Sequence, residues 1–317
     1  MKLRRSWVML AAGFILLPDT RIGFRPEEGT VLVKRFELNF DGALEDVRIR
    51  LNGGEFGIGE WGIDIGFLQR LRTTDEYVSM GQGRPEELRR SYDEIRRVTT
   101  VDDEERQGLS ELDGETVMFT WDEEEESFLP RFEGSDVRRS LLEGLVEDTD
   151  LRLLLPADEV VENETWTVDA RELSRLFFPG GDLKIEEEED GWGDLFRRIA
   201  DSLEGEIVLG FLGTEREGGS RAIIRIEGDA SGKGKLEECT HSGPVTLEFE
   251  VELRLEGELV WDLDGGHFRA LELECDLEGN MKGSFEFPWG KEDGFFEWTA
   301  IPRFYLTFTA SATTEDC

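Results

Sequence analysis

The sequence predicts a mainly β, α+β protein: a strongly curved, long-stranded antiparallel sheet or half-barrel with about three amphipathic helices on its concave face. Three observations carry this. One stretch keeps strict two-residue alternation far beyond ordinary strand length, shorter stretches repeat the pattern along the chain, and three segments switch to helical spacing.

The longest signal is residues 245–266, VTLEFEVELRLEGELVWDLDGG. Its odd positions include Leu247, Phe249, Val251, Leu253, Leu255, Leu259 and Trp261, while its even positions are almost all charged or polar. Such alternation marks a strand with one face buried and one in water. At about 3.3 Å per residue it would run roughly 60 Å, and strand twist forces so long a strand to coil. Gly257, the one gap in the apolar row, reads as a bend or bulge. After the turn DLDGG the alternation resumes through Leu271, Leu273, Cys275 and Leu277, so residues 245–283 read as one long hairpin that sets Cys275 near Arg254 or Leu255.

Shorter pairs repeat the pattern. Residues 116–122 and 128–132 flank the acidic tip 123–126, and 206–213 and 220–226 flank TEREGG. VLVKRFELNF and ALEDVRIRLNG read as two strands turning at Asp41 and Gly42, and 295–312 as closing strands interrupted at Pro302. Residues 85–98 fit a helix through Leu88, Tyr92 and Ile95, but the preceding YVSMGQGRP favours a returning strand. The polar stretch 99–115 reads as a loop or linker.

Helical spacing appears at 136–146 (Val137, Leu141, Leu142, Leu145), at 169–178 behind a capping box of Asp169 and Glu172, and at 192–204 (Trp192, Leu195, Ile199, Leu203). The simplest use for these apolar faces is to cover the sheet.

At the N-terminus three basic residues precede an eleven-residue apolar run, Trp7 to Leu17. That is the layout of a secretory signal, and it is too short for a bilayer span of about 20 residues. Residues 1–23 are therefore read as a signal peptide, with the mature chain starting near Ile22 to Pro26. The expected location is exported: periplasm, cell envelope or extracellular. The rest divides into a β-rich region 24–155 and a second one 156–317, or forms one continuous domain.

The chain carries 73 Asp and Glu against 36 Lys and Arg, and only seven of the basic residues are Lys. Its net charge of −37 becomes −40 without the signal region, where Lys2, Arg4, Arg5 and Arg21 outweigh Asp19. Such a field repels phosphate backbones, which excludes nucleic acid as a partner while leaving cations and basic proteins open.

Candidate chemistry is sparse. No nucleotide-binding glycine loop or nucleophile elbow occurs, and no cofactor or metal is expected. DLDGG resembles the opening of a calcium loop, but its twelfth position is Leu273, so it reads as a turn. His241 and His267 stand in loop-like contexts as solvated residues. Of the three cysteines, Cys239 and Cys275 are expected to form a disulfide, with Cys317 free or paired between chains. The tryptophans Trp61, Trp121, Trp166, Trp261, Trp289 and Trp298 are expected in the core.

Residues 153–169, LLLPADEVVENETWTVD, and the hairpin 257–274, GELVWDLDGGHFRALELE, are similar to segments of uncharacterised exported bacterial β-rich envelope proteins, many of them lipoproteins. This chain has Asn163 and Glu164 where that family usually has Gly-Asp, and it lacks a lipid-bearing Cys after the apolar run. The resemblance implies an envelope location and a sheet-plus-helix architecture, and transfers no catalytic residue.

The apolar face lined by Leu247, Phe249, Val251, Leu253, Leu255, Leu259 and Trp261 has two fates. Helices fill it, giving a non-enzymatic binding or scaffold protein, or they leave room for an apolar or lipid-like small molecule. A carboxylate-dependent hydrolase is the remote third reading. The partner is then an envelope protein or an apolar molecule, with cations attracted by the acidic surface.

Overall fold

The computed structural model describes residues 19–56, 62–134, 139–186, 192–216, 219–240, 243–289 and 292–315. In chain order the strands are β1 (Val31–Leu51), β2 (Gly54–Phe56), β3 (Ile63–Met80), β4 (Pro85–Val101), β5 (Glu104–Ser110), β6 (Thr116–Asp122), β7 (Ser127–Phe132), β8 (Thr165–Asp169) and β9 (Ile185–Glu186). They continue with β10 (Leu203–Glu215), β11 (Arg221–Thr240), β12 (Gly243–Asp262), β13 (His267–Trp289) and β14 (Glu292–Thr314). The α-helices are α1 (Leu173–Phe177) and α2 (Trp192–Asp201).

All fourteen strands belong to one curved sheet that does not close, and strand accounts for 67%. Its main path runs β7-β6-β4-β3-β1-β14-β13-β12-β11-β10-β8, with every pairing antiparallel. The path is two meanders joined where β1 pairs with β14, so regions 24–155 and 156–317 share one sheet. The expected long hairpin is β12 with β13, and its register sets Cys275 opposite Leu255.

Several sequence readings are corrected. VLVKRFELNF and ALEDVRIRLNG form a single strand, β1, because Asp41 and Gly42 keep ladder partners on both sides: Gly66 and Ile65 on β3, Tyr305 and Phe304 on β14. Gly42 serves close approach, not a turn: a Cβ there would meet the Arg303 carbonyl oxygen at 2.2 Å. Gly257 likewise stays in register with Leu273, and its added Cβ would lie 2.1 Å from the Glu272 oxygen. Pro302 does not interrupt β14. It lies opposite Leu44, and the β13 ladder passes from Arg303 to Ala300 without a partner for it, so the missing N–H is not needed there. The expected loop 99–115 contains the end of β4 and all of β5, while 85–98 is strand, as preferred.

Helix is scarcer than expected, two α-helices among the described residues instead of about three. The 136–146 segment holds only a 3₁₀ turn, Arg139–Leu142, and Gly144 ends the run at φ 79°; Asp136 and Val137 lie outside the described residues. At Asp169 the cap forms, with the side chain accepting from the Arg171 N–H at 3.0 Å, but Glu172 pairs with Arg175 instead of closing a box. Helix α2 ends at Asp201 because Leu203 already belongs to β10.

Both helices pack on the inner face. The Phe196 ring of α2 lies 3.9 Å from Phe40 of β1, 5.5 Å from Phe67 of β3 and 6.0 Å from Phe304 of β14, and Phe177 of α1 lies 6.1 Å from Phe308. One side chain touching three adjacent strands shows the sheet curling round α2. Each such ring contributes about 1.5–3 kcal/mol through burial alone.

Candidate functional site

Inside the sheet, beside this apolar core, lies a cluster of charged side chains. Lys34 of β1, Asp75 of β3 and Arg90 of β4 all point inward, in phase with Phe36, Tyr77 and Leu88. Asp75 and Arg90 are register partners, and Lys34 lies one step along, opposite Thr73. The segment after the 3₁₀ turn closes over them as a strap, residues 145–151, carrying Thr149 and Asp150.

Arg90 grips Asp75 with two parallel bonds, Nε to Oδ1 at 2.8 Å and Nη2 to Oδ2 at 2.7 Å. Its remaining donors reach the strap, bonding the carbonyl oxygens of Val146 (3.1 Å) and Glu147 (2.7 Å) and the Thr149 hydroxyl (2.7 Å). Lys34 Nζ donates to Asp75 Oδ2 at 2.7 Å, Thr149 Oγ1 at 3.0 Å and Asp150 Oδ1 at 2.5 Å. The Tyr77 hydroxyl donates to the same Asp150 oxygen at 2.5 Å. Lys34, Asp75, Tyr77 and Arg90 are 0% exposed, and Asp150 is 1%.

Charge balance explains how the group survives burial. Two cations face two carboxylates, so the formal charge is zero, and buried ions persist only when paired and hydrogen-bonded. Burial alone would raise the Asp75 carboxyl, but Arg90 and Lys34 outweigh it and hold it well below the ordinary carboxylate range. Burial works against the Arg90 charge too, yet Asp75 overcomes this and raises its pKa. Burial, with Asp150 and Asp75 adding to it, pushes the Tyr77 hydroxyl well up.

The strap is fastened from outside as well. Arg152 binds Glu147 and reaches Asp148 at 3.1 Å, and its guanidinium stands over the Phe24 ring, which packs edge-on against Tyr77. The segment that carries Phe24 is itself anchored away from the strap: Arg25 donates from its backbone to the Gly266 carbonyl at 2.9 Å and from its side chain to the Leu263 carbonyl at 2.8 Å, while Thr20 bridges Val160. Gly266, at φ 65°, leaves room for this crossing, since an added Cβ would meet Arg25. Chemically the cluster is a clamp. Its cation donors are spent on Asp75, on Asp150 Oδ1 and on the strap, and these side chains are buried.

The residues singled out from the sequence fall elsewhere. Phe249, Val251, Leu253, Leu255, Leu259 and Trp261 are buried on the inner face of β12, and Leu247 is half-buried against the same core. The open space there is a cavity of about 30 Å³, lined entirely by apolar side chains such as Phe40, Phe178, Phe196, Leu253 and Leu277. Larger grooves, of about 680 and 640 Å³, lie on the outer face among exposed charges such as Lys233, Glu250 and Arg254.

The expected disulfide between Cys239 and Cys275 is not made. Cys275 is buried and free, and its row runs through Leu255 to Gly228 on β11. Cys239 is 11 positions further along that strand (239 less 228), about 35 Å at strand rise, far beyond the roughly 7 Å that a disulfide spans. His267 is buried, not solvated, with Nδ1 2.7 Å from the Phe268 carbonyl oxygen. Trp261 is fully buried, whereas Trp121, Trp166 and Trp298 are partly so. Trp61, His241 and Cys317 lie outside the described residues, as do the Trp289 and Cys239 side chains. At DLDGG, Asp262 Oδ1 accepts the N–H groups of Asp264 and Gly265 and Oδ2 takes Arg269, so the carboxylate is spent on the turn. Among the described residues no cluster of His, Cys, Asp or Glu could hold a metal, and no helix is long and apolar enough to cross a membrane.

The clamp escaped the sequence reading, although a signal was present: Lys34, Asp75 and Arg90 each stand in the apolar phase of their strand, where alternation allots no charge.

No family model matches the chain, and no curated protein matches it. Among solved structures, the outer membrane protein OprG from Pseudomonas aeruginosa is similar over 92% of this chain and 100% of its own, at 7% identity and a TM-score of 0.28. Aeromonas hydrophila ExeD covers 91% of this chain and 49% of its own, at 10% identity and a TM-score of 0.14. Likeness at these scores fixes neither fold nor activity.

Proposed function

We propose that the protein is an exported, acidic, non-enzymatic binding or scaffold module of the cell envelope that works through its outer face. The observation that carries this reading is the filled interior. Helices α1 and α2 and the strap cover the inner face, and the cavity found there among the described residues measures about 30 Å³. Ligand pockets need about 300–1,000 Å³, so this cavity favours the module over the lipid carrier.

The polarity of the sheet supports the same reading. Along β12 the exposed phase is Glu248, Glu250, Glu252, Arg254, Glu256 and Glu258, and along β13 it is Glu272, Glu274, Asp276 and Glu278. A barrel sitting in lipid needs the reverse, an apolar band outside. A charged outer face suits water and basic partners. For a hydrolase, the buried carboxylates Asp75 and Asp150 are neutralised and inaccessible.

Native mass spectrometry of protein purified from its own host tests the proposal. The expected species is the bare chain or a complex with another protein; an apolar small molecule bound at one per chain would overturn it.

A further inference from the structure

The clamp divides unequally between its two sides. The sheet contributes Lys34, Arg90 and Asp75, a formal charge of +1, together with the Tyr77 hydroxyl. The strap contributes one neutralising carboxylate, Asp150, which enters end-on and is held through Oδ1 alone by Lys34 at 2.5 Å and Tyr77 at 2.5 Å. Its second oxygen is buried without a hydrogen-bond partner, as is the nearby Thr73 hydroxyl. A buried carboxylate oxygen with no donor is costly, so the sheet side would hold a better-seated carboxylate more tightly than it holds its own.

The strap shows two further features of a stand-in. Leu151, immediately after Asp150, takes a left-handed φ of 56°, a conformation that costs a non-glycine residue free energy. Leu151, the last residue of the strap, is 3% exposed and Leu154 just beyond it 1%, so core side chains follow the carboxylate directly.

We propose that Lys34, Tyr77 and Arg90, with Asp75 orienting both cations, form a carboxylate-binding site on the inner face of β1, β3 and β4. The strap occupies it with Asp150 as an internal pseudo-ligand, and the ligand class it fits is a carboxylate, taken up when the strap lifts. This goes beyond the module reading, because an occupied site leaves the resting interior full and the native spectrum bare.

Octanoate is the probe. With the wild-type chain, octanoate speeds tryptic cleavage after Arg152, the residue that fastens the strap, several-fold, whereas octanol and equimolar chloride leave it unchanged. Lys34→Met removes the octanoate effect. In Asp150→Ala, acetate raises the unfolding temperature where chloride at the same ionic strength does not, and adding Lys34→Met abolishes that rescue. If Asp150→Ala does not fold, the wild-type cleavage assay decides alone. Octanoate without effect, octanol acting equally, or acetate and chloride acting alike on a folded Asp150→Ala would each overturn the proposal, while bare chain in the native spectrum leaves the module reading standing.

Discussion

Lys34 and Arg90 deliver their charges to the same atom, Asp75 Oδ2, each from 2.7 Å, on three adjacent strands and away from solvent. Removing one partner of such a buried group leaves the other charges uncompensated, which costs about 3–5 kcal/mol. Lys34→Met should lower stability by that amount in urea unfolding. The surface pair Arg254 and Asp229, 80% exposed on both sides, sets the contrast: Arg254→Ala should cost less than about 1 kcal/mol. Equal losses in the two variants would remove the case for a clamp.

The pH response follows from two carboxyls shifted in opposite directions. Asp75 is depressed, so its stabilisation is complete above the unfolded value near 4 and is lost as pH falls toward its folded value. Burial raises Glu147, against the pull of Arg152 and with Asp148 adding to the rise. Its contribution is therefore present below the unfolded value and lost as pH rises through the folded one. The unfolding temperature should hold or rise from pH 7 to about 5, then fall below about 4. Glu147→Gln should flatten the rise, and a steady decline from pH 7 would contradict the assignment.

Val251 is 1% exposed, between Gly232 on β11 and Gly279 on β13. A carboxylate there has no counter-ion, and its burial costs several kcal/mol out of the roughly 5–15 that hold a domain together. Val251→Asp should abolish folding by far-UV circular dichroism, while the outward-facing neighbour change Glu252→Gln should alter stability by less than about 0.5 kcal/mol. A soluble, folded Val251→Asp would refute the inner-face assignment of β12.

How much of this was legible depends on where a residue's partners sit. The β12–β13 hairpin could be read to within one residue of its register, Cys275 near Arg254 or Leu255 where the sheet pairs it with Leu255, because alternation and the DLDGG turn are local signals. At Asp41 and Gly42 the same local grammar misled, since turn-forming residues can run straight when β3 and β14 supply partners from 23 residues away and more. The helices were overcalled for a related reason: 3.6-residue spacing at 136–146 does not report the left-handed Gly144 or competition from neighbouring strands. The clamp was hidden because Lys34, Asp75, Arg90 and Asp150 lie 41, 15 and 60 residues apart in sequence order. Each charge alone looks like an alternation error.

Burial pushes the Cys275 thiol up to about 12, with Asp276 and Glu274 adding to the shift. Only the thiolate reacts readily, and this side chain is also shielded by β12 and β14. In the folded protein Cys275 should stay unlabelled by a thiol reagent at pH 8 and become labelled in step with urea unfolding, as read by peptide mass. Prompt labelling of Cys275 in the native state would show that the strand opens locally.

On the outer face, register sets like charges side by side. Glu227, Glu256 and Glu274 form a row across β11, β12 and β13, and the next row on one side pairs Glu258 with Glu272. On the other side the opposite charges Arg254 and Asp276 separate it from the pair Glu252 and Glu278. Opposed like charges on a sheet destabilise by about 0.2–1 kcal/mol per pair, and exposed ones are screened by salt. Glu256→Lys places a cation between two glutamates, turning two repulsions into attractions. At low salt it should raise the unfolding temperature by about 1–2 °C, the shift that about 1 kcal/mol produces in a chain this long at about 2.1 cal/mol/K per residue. In 1 M sodium chloride, where the screening length is about 3 Å, wild type should gain stability and the difference between the two proteins should shrink. Destabilisation by Glu256→Lys at low salt, or a gap that salt leaves unchanged, would mean that the acidic rows are not held against their own repulsion.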